Sequence, residues 1–222
     1  MKRTVTRIIG ALCAVLGLLI LVYVMLPITT YSLDGGTRFS GYLSPVPEGE
    51  VFTGGSMDYT KASNWFPDSE VQFEQEVSKV RYYNLSIPKL GIKDAVVTIG
   101  GEDLSESLIQ YPGTALPGKR GNAVIFGHSI LPQFYNPLDY TAIFSTLPSI
   151  GKGNKVHIRY DGISYVYVVE EVFEVGPTDL EILAQNITDS YITLITCTPP
   201  GHPLRPKRLI VRARLDPLGI GG

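Results

Sequence analysis

The pattern of apolar and polar positions begins with one long apolar segment. Residues 8–28 contain no charged side chain and are numerous enough to cross a hydrocarbon core of ~30 Å as a helix. A cleaved signal peptide would have a shorter apolar run and a small-residue cleavage site, which residues 29–32 do not offer. The segment is also apolar all round, which disfavours a core helix. The pattern therefore predicts a transmembrane signal-anchor over 8–28.

The charges that flank this segment predict its orientation. Residues 1–7 carry Lys2, Arg3 and Arg7 and no acidic residue. Positive charges next to a membrane helix favour the cytoplasmic side. We therefore expect a cytoplasmic N-terminus over 1–7, a single pass through the cell membrane, and the rest of the chain outside.

The next stretch, residues 29–76, is rich in Gly, Ser, Pro and acidic residues and has few periodic apolar positions. It predicts an extracellular stalk or an irregular segment before the folded domain. Trp65, the only tryptophan, and Phe66 stand out in it. Aromatic side chains in a polar linker usually dock on a surface. Two interpretations stay open: packing against the side of the domain, or a lid over a functional site.

From residue 77 the pattern changes to short runs with alternating or continuous apolar positions. Strands are predicted at 82–88, 93–99, 122–127, 155–160, 163–175, 191–197 and 207–215. Asp161-Gly162 is a hairpin signal, Leu104 and Leu108 at i, i+4 predict a short helix over Glu102–Gln110, and 177–185 predicts a helical turn. The fold class is mainly β: a closed or nearly closed barrel with short helices over 77–216, followed by a C-terminal tail at 217–222.

Charge and cysteine content narrow the function. The net charge is −2 and the basic residues form no basic face apart from the terminal strand, so no nucleic-acid partner is expected. Of the two cysteines, Cys13 lies in the apolar segment, out of reach of Cys197. Cys197 is therefore predicted to be a free thiol, either a buried small side chain or a reactive group.

A reactive thiol needs a proton carrier, and the chain has three histidines. His157 lies on the polar face of an alternating strand and is expected to be solvated. His202 lies in a proline-rich loop that gives it no fixed position. His128 follows an apolar strand directly, which lets a rigid element place it at the rim of a barrel. His128 is the predicted partner of Cys197.

Two arginines compete to stabilise an oxyanion. If residues 191–197 pair antiparallel with 207–215, Cys197 and Arg208 face each other at one edge, whereas Arg212 is about 13 Å further along the strand. Arg205 reaches the site only if its loop folds inward. Glu170, Glu171 and Glu174 are interpreted as solvated charges.

These residues carry a resemblance to a known family. Thr193–Cys197, TLITC, resembles the TLxTC signature of sortases, and His128 and Arg208 stand where that family has its other two catalytic residues. Further similarity runs through Ser86–Ile92 and Pro117–Ser129. The resemblance implies an eight-stranded sortase β-barrel and a cysteine transpeptidase outside a bacterial membrane. Thr196, Ser129 and Arg205 are expected as further substrate contacts.

The resemblance also implies roles and partners. Cys197 would attack an LPxTG-like sorting signal, His128 would protonate the leaving amine, and Arg208 would stabilise the oxyanion. The acceptor would be an amine of cell-wall peptide or a pilin lysine, and residues 8–28 would contact the lipid bilayer. Some sortases bind calcium through acidic residues in the loop before the catalytic histidine, but loop 111–121 has no Asp or Glu, so no calcium site is expected there. No other metal and no cofactor is predicted. Two alternatives remain: a cysteine hydrolase of the same fold, and a non-catalytic anchored β-barrel that binds a partner.

Overall fold

The structure is a computed structural model that describes residues 2–39, 58, 60–65, 80–185 and 188–221. One long helix, α1 (Lys2–Arg38), precedes a β-domain. Between Val5 and Asp34 this helix is long and apolar enough to cross a membrane, by length and composition. It suggests a single-pass anchor.

Helix α1 continues ten residues past the predicted end of the membrane segment. Residues 29–38, predicted as the start of the stalk, are helical. The hydroxyls of Thr29, Thr30 and Ser32 donate to carbonyls three or four residues earlier, so these polar residues fit within the helix. The predicted stalk residues 40–57, 59 and 66–79 lie outside the described part of the chain.

Eight strands close into a barrel, which confirms the predicted fold class. In chain order they are β1 (Tyr82–Ile87), β2 (Ile92–Ile99), β3 (Leu108–Gln110), β4 (Gly121–Phe126), β5 (Lys155–Tyr160), β6 (Ile163–Val175), β7 (Ser190–Thr198) and β8 (Lys207–Gly221). Around the barrel the order is β1-β2-β3-β4-β7-β8-β6-β5. The pairs β2/β3 and β4/β7 are parallel and the other pairs are antiparallel.

Local signals explain several of these boundaries. Asp161 and Gly162 both have positive φ, 50° and 77°, as a two-residue type I′ turn between β5 and β6 requires. The predicted hairpin is confirmed. Strand β8 extends to Gly221 by pairing with β6, so residues 217–221, predicted as a tail, are part of the sheet.

The short helix predicted over Glu102–Gln110 is wrong. Residues 108–110 form β3, and the residues before it form turns. Leu104 and Leu108 do not share a helical face, because each packs in a different apolar cluster. The predicted helical turn in 177–185 is confirmed as one 3-10 turn at Glu181–Leu183.

Two apolar clusters organise the domain. The larger one fills the barrel, with Leu85, Val97, Ile125, Leu194 and Val211 among its members. The second covers the outer face of β4, β7 and β8 and includes Trp65, Phe126, Ile195, Cys197 and Ile210. Alternation along β7 sends Leu194 inward and Ile195 and Cys197 outward. The thiol therefore belongs to the outer cluster.

Candidate functional site

The parallel register of β4 and β7 brings His128 and Cys197 to the same level. Phe126 is the register partner of Ile195, and His128 and Cys197 each follow that pair by two residues. The Gly127 amide donates to the Ile195 carbonyl at 3.1 Å, which continues the ladder to the residue before His128. Residues 69 positions apart in sequence thus meet at one rim because both strands are buried and in fixed register.

Arg208 joins this rim from β8. The antiparallel ladder of β7 and β8 pairs Cys197 directly with Arg208, which confirms the predicted facing. Directly paired residues present their side chains on the same face of a sheet. The Arg208 side chain is 1% exposed, and its Nη1 donates to the Arg205 carbonyl at 3.0 Å. Thiol, imidazole and guanidinium therefore come from three adjacent strands.

Two hydroxyls tie the histidine segment to the cysteine segment. Thr196 Oγ1 donates to the Gly127 carbonyl at 2.8 Å, and Ser129 Oγ donates to the Cys197 carbonyl at 2.7 Å. Thr196, which precedes Cys197, thus binds Gly127, which precedes His128. Ser129, which follows His128, binds the backbone of Cys197. Both hydroxyls are buried. They fix the spacing between His128 and Cys197.

A segment from the N-terminal side covers this face. We call residues 60–65 the covering segment. The Ala62 amide donates to the Glu102 carbonyl, the Leu104 amide donates to the Thr60 carbonyl, and Lys61 forms a β-bridge with Asp103. These contacts fasten it to the loop before β3.

Trp65, at the end of the covering segment, packs on the predicted catalytic residues. Its side chain is fully buried, with ring centroids 5.3 Å from Phe126 and 5.8 Å from His128. The Arg208 guanidinium carbon lies 5.4 Å from the centre of the indole ring, in cation–π range, and Arg208 Nη2 donates to the Trp65 carbonyl at 3.4 Å. Phe66 lies outside the described residues.

A cleft of about 270 Å³ opens beside the thiol. It runs between residues 129–134, which follow His128, and residues 199–205, which join β7 to β8. Cys197, Ser129 and Arg205 line it, as does His202. Arg205 thus reaches the site from the loop. His157 does not: it pairs with Ser86 and Val166 on the opposite side of the barrel.

Burial sets the protonation of the imidazole. His128 is 6% exposed, and burial, with the Arg205 charge added, lowers its pKa to about 4; Asp103 and Asp58 act weakly in the opposite direction. His128 is therefore neutral at pH 7. Its Nε2 atom is buried and has no hydrogen-bond partner among the residues that the structure describes.

Burial also raises the pKa of the Cys197 thiol, while Arg208 and Arg205 lower it by smaller amounts. Cys197 is 3% exposed. The covered site consequently holds a neutral thiol and a neutral imidazole. A reactive thiolate needs either the approach of water or a proton transfer to His128.

The hydrogen bonds of Glu174 were not predicted from the sequence. Its side chain is only 9% exposed, so its interpretation as a solvated charge is wrong. It accepts hydrogen bonds from Tyr31, Thr198 and Lys207. The alternation of β6 gives no sign of this, because one of those partners lies 143 residues away.

Comparison with known proteins agrees with this fold. The family model described as the sortase domain matches residues 85–216. Sortase A of Streptococcus agalactiae is 34% identical over 121 residues, which cover 54% of this chain and 47% of that protein. Sortase A of Bacillus anthracis is 27% identical over 176 residues, covering 74% of this chain and 80% of that protein.

A solved structure extends the likeness to most of the chain. The lid mutant of sortase A from Corynebacterium diphtheriae superposes with a TM-score of 0.53 and 25% identity, covering 88% of this chain and 95% of that one. The closed β-barrel carries cysteine, histidine and arginine at one rim. The chain belongs to the sortase family. It spans about half the length of the S. agalactiae protein.

Proposed function

We propose that this protein is a membrane-anchored cysteine transpeptidase that cleaves an LPxTG-like sorting signal and transfers the acyl part to an amine. Membership of the sortase family supports a transpeptidase. The observation that supports the specific reaction is that Cys197, His128 and Arg208 come together from three adjacent strands. These are the three groups that acyl transfer through a thiol requires: nucleophile, proton carrier and oxyanion partner.

The reaction proceeds in two acyl transfers. Cys197 passes its proton to His128, and the thiolate attacks the Thr–Gly carbonyl while Arg208 stabilises the oxyanion. As the C–N bond breaks, the His128 imidazolium protonates the departing glycine amine and leaves a thioester on Cys197. The neutral imidazole then takes a proton from the incoming amine, which attacks the thioester and releases the thiol. Cell-wall peptide or a pilin lysine supplies this amine.

Thr196 and Ser129 act as positioning residues in this proposal. Their hydroxyls are engaged with the backbone on either side of the His128–Cys197 pair. Ser129 also lines the cleft beside Cys197, where it meets substrate together with Arg205.

Trp65 acts as a lid in this proposal. The indole covers His128 and Arg208, so an extended peptide in the cleft contacts these two side chains only after the covering segment moves. Phe66, which lies outside the described residues, is proposed as part of the same lid. A closed lid also accounts for the neutral thiol and the neutral imidazole, because it keeps both groups buried. Its opening admits water to them.

The location follows from the anchor. The basic residues Lys2, Arg3 and Arg7 before the helix support an N-terminus on the cytoplasmic side and a barrel outside the membrane. The proposed partners are an LPxTG-like peptide, an amine acceptor and the lipid bilayer.

Peptide cleavage by the full-length protein, followed by mass spectrometry, tests the function. Cys197→Ala abolishes cleavage, Arg208→Ala slows it by about 100-fold or more, and Arg205→Ala slows it by less than about tenfold, because only Arg208 faces the thiol directly. Equal losses for the two arginines would reject Arg208 as the oxyanion partner. Unchanged cleavage by Cys197→Ala would reject the enzyme and leave a binding module.

An added amine distinguishes transfer from hydrolysis. A transpeptidase joins the amine to the acyl fragment and gives a ligated product. If only the free acid forms at saturating amine, the protein is a cysteine hydrolase of the same fold.

A further inference from the structure

The outer end of helix α1 packs on the barrel instead of standing apart from it. Among its outer residues, Val24, Pro27, Ile28 and Tyr31 are partly or fully buried, whereas Thr29 and Thr30 are exposed. The buried positions follow i, i+3, i+4, i+7, which is one face of a helix. The membrane segment before them is exposed throughout. One face of the last apolar turns is therefore less exposed than the other, and Tyr31 at its end contacts the β-domain.

A polar contact fixes this face beside the catalytic rim. Tyr31 donates a hydrogen bond of 2.7 Å to Glu174 Oε1. The same carboxylate accepts from Thr198 Oγ1 at 3.1 Å and from Lys207 Nζ at 3.4 Å. Thr198 and Lys207 are register partners, immediately next to the pair formed by Cys197 and Arg208. The anchor is thus bonded to the strand pair that carries the thiol and the guanidinium.

An aromatic contact supports the same docking. Phe39, just past the helix end, packs against the interior cluster of the barrel, and its ring stacks on Tyr31 with centroids 6.3 Å apart. A cleft of about 240 Å³ lies between this end of the helix and residues 145–149. Contacts on both sides of Tyr31 restrict how the barrel can turn about the helix.

Tyr31, which makes the contact with the barrel, lies at the level of the lipid headgroups. A hydrocarbon core of ~30 Å takes about 20 helical residues, so a span that begins at Ile8 ends near Pro27. Tyr31 follows four residues later, about 6 Å further along the axis. Headgroups occupy roughly 5–7 Å on each side of the core, so this tyrosine is in that layer. The rim of the barrel that holds Glu174 is at the same height.

We propose that the Tyr31–Glu174 contact seats the barrel on the outer surface of the bilayer. The cleft beside Cys197 then opens next to the lipid headgroups and receives polypeptides that are themselves held in the membrane. This selection of membrane-held substrates rests on the proposed transpeptidase function. The seating itself depends only on the contacts between helix and barrel.

Distance measurements in lipid nanodiscs test the seating without reference to activity. Spin labels go on Leu33→Cys in the helix and Leu138→Cys in the barrel, both exposed, in a Cys13→Ser, Cys197→Ala background. We expect one narrow distance distribution. Tyr31→Asp, which sets two carboxylates against each other, and Glu174→Ala broaden it. The matched controls Thr30→Asp, at the same depth on the exposed face, and Glu171→Ala, exposed on β6, leave it narrow.

Two results would overturn the seating: a broad distribution in the unsubstituted protein, or a narrow one in both Tyr31→Asp and Glu174→Ala. Circular dichroism confirms that each variant keeps its β-domain, so that broadening reports release of the helix and not unfolding.

A second measurement compares one LPxTG-like peptide in two forms, free and tethered to vesicles that contain the full-length enzyme. Seating raises the effective concentration of the tethered form, so Tyr31→Asp lowers its cleavage by about tenfold and changes that of the free form by less than about twofold. Equal effects on both forms would overturn the substrate selection. If no protein cleaves either form, the proposed function fails, and the distance measurement still decides the seating.

Discussion

The protonation of His128 couples this residue to the stability of the fold. Its pKa in the folded protein is about 4, below the value near 6.5 of a solvated imidazole. Between these values the unfolded chain binds more protons, so stability is lost as the pH falls from about 6.5 to about 4. This loss amounts to up to about 3 kcal/mol in the free energy of unfolding, and we expect it to be absent in His128→Gln.

Unfolding midpoints recorded between pH 4 and 7 measure this effect. His157→Gln, on the far side of the barrel, is the control and keeps the profile of the unsubstituted protein. Parallel profiles for His128→Gln and the unsubstituted protein would show that the imidazole is not shielded as the structure describes.

Gly127 is a second residue whose identity the site requires. A Cβ at this position would overlap the ring of Phe144 and lie 2.6 Å from Leu108 Cδ2, and both side chains belong to the barrel interior. Gly127→Ala is expected to destabilise the fold by about 1–3 kcal/mol and to slow peptide cleavage, because the backbone that carries His128 must shift.

Denaturant unfolding and cleavage rates measure the two effects of Gly127→Ala. Gly151→Ala is the matched control, since a Cβ there meets no atom within 4 Å. Comparable losses from both substitutions would mean that close packing at Gly127 is not the cause.

At the residue scale, the sequence predicts contacts between two strands that are joined by one loop, and it misses contacts between segments that are far apart in the chain. The facing of Cys197 and Arg208 follows from two adjacent strands and one loop, and the register confirms it. The burial of Glu174 does not follow, since Tyr31 approaches it from the membrane anchor. Charge alternation along one strand carries no information about a helix that packs over its end.

Among the elements, the covering segment packs over two of the three proposed catalytic residues, and we propose that it is a lid. Trp65 contributes a fully buried ring between Phe126, His128 and Arg208, and the backbone of this segment is fastened to the loop before β3. Trp65→Ala is expected to speed the reaction of Cys197 with a small water-soluble thiol reagent by about tenfold or more, because a loss of a few kcal/mol of packing favours the open state.

Mass spectrometry of the labelled protein over time measures this rate. Cys13→Ser removes the second thiol from the assay. Tyr82→Ala, which removes an exposed aromatic ring elsewhere on the barrel, is the control and leaves the rate unchanged. Equal rates with and without the Trp65 ring would count against a lid.

The residues before β3 show why an element can be assigned wrongly. Leu104 and Leu108 have helical spacing, but one packs in the outer cluster and the other inside the barrel. Strand β3 exists because β2 and β4 supply its hydrogen-bond partners, and those pairings lie outside any short window of sequence. The period of apolar positions predicts an element only when all of them face one side.

For the whole molecule, the barrel was predictable and the placement of its anchor was not. The strand-length apolar runs and the Asp161-Gly162 turn predict a closed or nearly closed barrel, and the resemblance carried by the signature that ends at Cys197 implies its eight strands. Strand β3 alone was predicted as a helix. The anchor segment is recognisable from hydropathy alone. Its docking through Tyr31 and Phe39 is not, because the hydropathy of the segment does not indicate that the β-domain contacts its outer end.

The buried Trp65 ring has a consequence for compounds aimed at the thiol. In the proposed lid mechanism, a ligand that contacts Arg208 where the indole lies must displace Trp65, so its apparent affinity equals its affinity for the open state reduced by the fraction of molecules that are open. A barrel lacking residues 60–65 has no such cost, and screening against it would overrate every inhibitor by the same factor. Compounds that carry their own indole-like ring, to replace the contacts of Trp65 with His128 and Arg208, would recover part of that loss.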